Sequence, residues 1–141
     1  MQGNDFVTSA MYLRGVTCFS CHDVHGTGNS AELIKPASLV CLNCHGPSSP
    51  NGPHVADIGK HTHHAAGSAG SECTGCHMPK IQTTIADVKV RAHTFRFIPP
   101  GPASARKMPD SCTACHKDRN AEWADGELKK WQEFSPWRMA R

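Results

Sequence analysis

One five-residue frame, occurring four times, constrains this chain more than anything else in it. Cys18-Phe19-Ser20-Cys21-His22, Cys41-Leu42-Asn43-Cys44-His45, Cys73-Thr74-Gly75-Cys76-His77 and Cys112-Thr113-Ala114-Cys115-His116 all read C-x-x-C-H, and together they use all eight cysteines. That string is the attachment signal for c-type haem. Two intervening residues set both thiols under the two vinyl groups of one porphyrin, where thioether bonds form. The histidine that follows is then held beneath the iron as its proximal ligand. Paired C-x-x-C would also suit zinc, and eight cysteines would suit four disulfides. Neither use needs a histidine directly after every second cysteine. The frames therefore predict four covalent haems c, attached through Cys18 and Cys21, Cys41 and Cys44, Cys73 and Cys76, and Cys112 and Cys115. Their irons would sit on His22, His45, His77 and His116.

Composition points the same way. Leu, Ile, Val and Phe make up 22 of the 141 residues, about 16%. A share below roughly 20% usually means disorder when net charge is also high. Here the formal charge is only +3. The aliphatic stock is too thin for an ordinary core, so something other than side chains has to fill the interior. One haem for about every 35 residues would do so. The expected fold is mostly irregular with a few short α-helices, organised as a single domain over residues 1–141 around four stacked covalent haems.

Little regular structure is legible between the motifs. Asp5 to Arg14 reads as a short helix, with Asn4 or Asp5 as its cap and Gly15 as its stop. Glu122 to Phe134 reads as an amphipathic helix whose Trp123, Leu128 and Trp131 can pack on a haem face. Thr84 to Val90 alternates weakly, as a strand would. Loops are punctuated by Gly28, Pro47, Pro50, Pro53, Pro99, Pro100 and Pro102. The first cysteines of successive motifs are 23, 32 and 39 residues apart, which excludes a fixed-period repeat.

Other classes lack their signatures. No apolar run reaches the 18 residues of a membrane-spanning helix. Met1 to Gly15 has no basic stretch followed by an apolar one, so no signal peptide is read there. Lysines and arginines are scattered, with Lys129-Lys130 the strongest local cluster, and nucleic acid is not an expected partner. The glycine-rich dinucleotide fingerprint, the phosphate-binding loop and the G-x-S-x-G elbow do not occur.

Ten histidines less the four in the motifs leave His25, His54, His61, His63, His64 and His93 for the second face of each iron. Methionine is the rival ligand and would raise the potential. Met78 adjoins His77 and cannot reach round to the other face of that haem. His61 and His64 are three apart, so a helical turn would put them on one face to serve two neighbouring haems, with His63 turned away. His25 follows His22 too closely to cap the same iron and suits an adjacent one. His93 lies about midway between the third and fourth motifs. His54 stands in a loop with Pro50, Gly52 and Pro53; whether it or His63 ligates stays open.

The stretch Arg14 to Cys18 running on through His22-Asp23-Val24-His25, then His61 to Ser68, then Cys73 through His77-Met78-Pro79, then His93-Thr94-Phe95-Arg96, resembles the multihaem cytochromes c of the doubled C-x-x-C-H type. Similar modules occur in multihaem proteins that carry tetratricopeptide repeats. The C-H-M-P string followed by a later histidine is similar to part of pentahaem nitrite reductase. The resemblance implies a small multihaem cytochrome c fold, with His25, His61, His64 and His93 at the distal positions. It also implies export, with maturation in the periplasm or outside the cell. Two departures count: no motif ends in lysine, as the catalytic haem of nitrite reductases does, and no tetratricopeptide repeat is present.

The function expected on these grounds is electron transfer between redox partner proteins, by four bis-histidine haems forming a short wire. Two alternatives belong to other classes. One is a subunit of a conductive extracellular filament, built by self-association or as part of a larger multihaem complex. The other is a haem reductase of nitrite or hydroxylamine, which would need an iron without a sixth protein ligand.

Overall fold

The computed structural model describes residues 2–50, 52–83 and 88–131. Helix α1 (Gln2–Val7) starts earlier than expected and breaks early. Its interruption has a local cause. The Thr8 hydroxyl donates to the Asp5 carbonyl at 2.7 Å, and Ser9, fully buried, accepts the Tyr12 amide on its hydroxyl at 3.1 Å. Serine and threonine offer the backbone such local partners in place of the helical ladder. A single 3-10 turn, Tyr12–Arg14, follows, and Gly15 ends it at φ 83°, in agreement with the expected stop.

After this come α2 (Ala37–His45), α3 (Ile58–Thr62) and α4 (Cys73–His77). Strands β1 (Lys80–Thr83) and β2 (Lys89–Arg91) pair antiparallel, with Lys80 opposite Arg91 and Thr83 opposite Lys89. Of the expected strand, Lys89 and Val90 lie in β2, while Thr84 to Asp87 lie outside the described residues. Helix α5 (Pro100–Ala105) and helix α6 (Ala121–Lys130) complete the order. Asn120 caps α6 by accepting the Trp123 amide at 2.9 Å. The helix ends before Trp131, whose backbone is extended, and Gln132 to Phe134 lie outside the described residues. The residues cluster into two compact units, Met1–Phe97 and Ile98–Arg141.

The polypeptide itself supplies little interior. Among the described residues the buried hydrophobic side chains are Phe6, Ala92, Ala103, Ala124 and Leu128. Leu13, Phe19 and Val24 are 78%, 68% and 63% exposed. The structure is mostly irregular with short helices, as the thin aliphatic content implies. No described helix is long and apolar enough to cross a membrane.

Candidate haem-binding sites

Each motif folds into a tight hydrogen-bonded turn, helical in the first three. In the first, Cys18–Ser20 forms a 3-10 turn and the His22 amide donates to the Cys18 carbonyl at 2.9 Å. The second ends α2, and the third is the whole of α4. In the fourth, the His116 amide donates to the Cys112 carbonyl at 2.9 Å. Residues i, i+3 and i+4 of a helical turn share a face. C-x-x-C-H thus puts two thiols and one imidazole on the same side of the chain, which is the donor set one porphyrin requires. None of the eight cysteines is in a disulfide.

The fourth turn is held by Asp110, which is only 5% exposed. One carboxylate oxygen accepts the amides of Cys112 and Thr113 at 2.8 and 2.9 Å, and the other accepts the Thr113 hydroxyl at 2.6 Å. Asp110→Ala leaves these donors without their acceptor. The expected loss in the haem-loaded protein is about 2 kcal/mol, read from the denaturation midpoint. An unchanged midpoint would show that the cap does not stabilise the turn.

The imidazoles are anchored in a common way. A backbone carbonyl accepts from Nδ1 of His22 (Ala31, 2.9 Å), His45 (Pro53, 2.8 Å), His64 (Thr62, 2.6 Å) and His93 (Arg91, 3.0 Å). The Phe95 carbonyl accepts from the His77 ring. A carbonyl can only accept, so Nδ1 carries the proton in the first four and Nε2 keeps its lone pair. That is how a protein fixes the tautomer and orientation of a metal-ligating histidine. Burial pushes the His77 imidazolium down in pKa, and the neighbouring charge of His61 adds to this, favouring the neutral ring that can ligate. His64 also packs against Gly70, where any side chain would overlap its ring. At Gly52, with φ 72°, a Cβ would come within 3.0 Å of the His45 ring.

Ring positions sort the remaining histidines. His61 and His77 have centroids 6.2 Å apart with planes 10° from parallel; His22 and His93 are 6.3 Å apart at 30°. The His116 ring lies 5.0 Å from that of Trp123. His25 is exposed, and its amide donates to the Asp23 carboxylate at 2.9 Å. His54 and His63 are exposed. Helix α3 stops at Thr62 because His63 takes a left-handed φ of 54°, so His61 and His64 do not share a helical face as expected. They are placed separately, one beside His77 and one against Gly70.

The motifs within residues 1–97 also approach one another. Ser38 in α2 donates to Glu72, just before α4, at 2.7 Å. Cys41 and Cys73 are within hydrogen-bonding reach; the bond pushes the Cys41 thiol up in pKa and holds Cys73 down, to about 6. Burial raises the Cys21 thiol, with Cys44 adding to the effect. Sequence reasoning missed Arg91. Its Nη1 donates to the Thr74 and Met78 carbonyls at 2.9 and 3.1 Å, tying β2 to the third motif. Nothing in a lone arginine between a valine and an alanine signals that role.

A sequence profile described as the doubled CXXCH motif matches residues 12–50, the first two motifs. A search of curated proteins finds no match. The fold resembles the crystal structure of the outer cell wall cytochrome OcwA, with a TM-score of 0.59 and 20% sequence identity. The match covers 94% of this chain and 38% of that one, so the chain spans well under half of that protein's length. The chain thus carries the doubled CXXCH motif over residues 12–50 and shares its fold with part of an outer cell wall cytochrome.

Proposed function

We propose that the protein transfers electrons between redox partners through four haems c, each with histidine on both faces of its iron. His22, His45, His77 and His116 hold the proximal faces, and His25, His61, His64 and His93 the distal ones. The observation that carries this reading is the carbonyl anchoring of Nδ1 on His64 and His93, which lie outside the motifs. Imidazoles prepared in the same way as His22 and His45, yet with no cysteines beside them, are suited to a second axial place.

The haem, when bound, supplies one-electron iron chemistry. The chain's own residues fix what that chemistry can be. Eight cysteine thiols would hold the porphyrins, the anchored rings of His22, His45, His64 and His93 would present Nε2 to the metal, and histidines on both faces would leave no position for a small substrate. A site whose ligands stay in place on reduction reorganises little, which favours transfer over catalysis. Axial ligands, burial and nearby hydrogen bonds tune each potential.

Thioether attachment calls for export, so the mature protein works in the periplasm or outside the cell. The likeness to an outer cell wall cytochrome supports that location. Its partners are redox proteins or further subunits of a larger multihaem assembly. Intact mass of the mature protein should show four haem additions, with no cysteine open to thiol titration. Any other haem number would overturn the four-site reading.

A further inference from the structure

The geometry points to a specific pairing of ligands: His93 is the second axial ligand of the iron attached at Cys18 and Cys21, and His61 that of the iron attached at Cys73 and Cys76. This rests on the reading of each iron as held by two histidines, and adds which residue closes which site.

Distance carries the pairing. A metal–imidazole bond of about 2 Å, plus about 1.1 Å from the ring nitrogen to the ring centre, puts two rings on one metal about 6.2 Å apart. His61–His77 measures 6.2 Å and His22–His93 6.3 Å. Rings in face-to-face contact would sit about 3.5–4.0 Å apart, the optimal separation of carbon atoms. The spaces between these rings are instead the width of an iron and its two bonds. One ring of each pair belongs to a motif and the other comes from elsewhere in the chain. In the first pair both Nδ1 atoms are bound by carbonyls, of Ala31 and Arg91, which leaves both Nε2 atoms as the ligating nitrogens.

The segment following β2 ties the two sites together. The Arg91 side chain grips the Thr74 and Met78 carbonyls of the third motif, while its own carbonyl orients His93 toward the first. The Ala92 amide donates to the Pro79 carbonyl at 3.1 Å, and the His93 amide to Asp5 at 3.3 Å. Two residues on, the Phe95 carbonyl holds the His77 ring. The short stretch from Arg91 to Phe95 thus positions a distal ligand of one haem and a proximal ligand of another.

The test uses the full-length haem-loaded protein, with each haem's NMR signals assigned to its motif through contacts with the attached cysteines. In His93→Ala, the haem of Cys18 and Cys21 should turn high-spin while that of Cys73 and Cys76 stays low-spin; His61→Ala should do the reverse. Added imidazole should restore the low-spin state in each, and unchanged signals from the haems at the other motifs should show that each variant is folded. Near-parallel planes further predict that both haems give a well-split rhombic low-spin EPR signal in the wild type. Arg91→Gln should perturb the signals of these two haems and spare the others. If another haem changes, or none does, the pairing is wrong even where all irons remain bis-histidine. A wild-type protein already high-spin at one haem would instead defeat the underlying reading.

Discussion

The chain without its haems is expected not to fold. Among the described residues only Phe6, Leu128, Pro79 and Pro100 bury a side chain larger than alanine's outside the polar set. Burial of a Phe or Leu contributes about 1.5–3 kcal/mol, far short of the backbone entropy lost over a chain of this length. Large apolar groups meanwhile stand exposed around the first two motifs: Phe19 at 68%, Val24 at 63% and Leu39 at 54%. Porphyrin faces are the apolar surface that would cover them. Produced without haem attachment, the chain should show a coil-like far-ultraviolet dichroism spectrum and no cooperative melt. The haem-loaded protein should melt cooperatively. A haem-free chain with a sharp transition near that of the loaded protein would show that side chains, not cofactors, form the core.

How much of this is legible in the sequence follows from the range over which each signal acts. The C-x-x-C-H frames are local, and one helical turn realises all of their geometry, so the attachment residues and proximal histidines are plain at once. Gly15 is legible for the same reason, through local stop chemistry, and the helix at residues 121–130 through its amphipathic pattern. The break after Val7 is not, because it depends on Ser9 becoming buried, a tertiary event. His61 and His64 read as one helical face, but the left-handed turn at His63 separates them. The juxtaposition of His22 with His93, and the grip of Arg91 on the third motif, join residues far apart in sequence. No spacing rule reaches that far. Gly70 is similar: a glycine in a glycine-rich loop shows nothing of the ring that lies against it.

Whether every iron has two protein ligands separates a carrier from a reductase. Carbon monoxide binds ferrous haem only where an axial position is open. With four motif histidines, carbonyl-anchored rings at His64 and His93, and His61 facing His77, a bis-histidine carrier leaves no such position. The decisive experiment is carbon monoxide titration of the fully reduced protein, followed in the Soret band. The expected result is no shift, with nitrite and hydroxylamine turnover at background. A shift amounting to one full haem equivalent would contradict bis-histidine ligation and make that haem a site of chemistry.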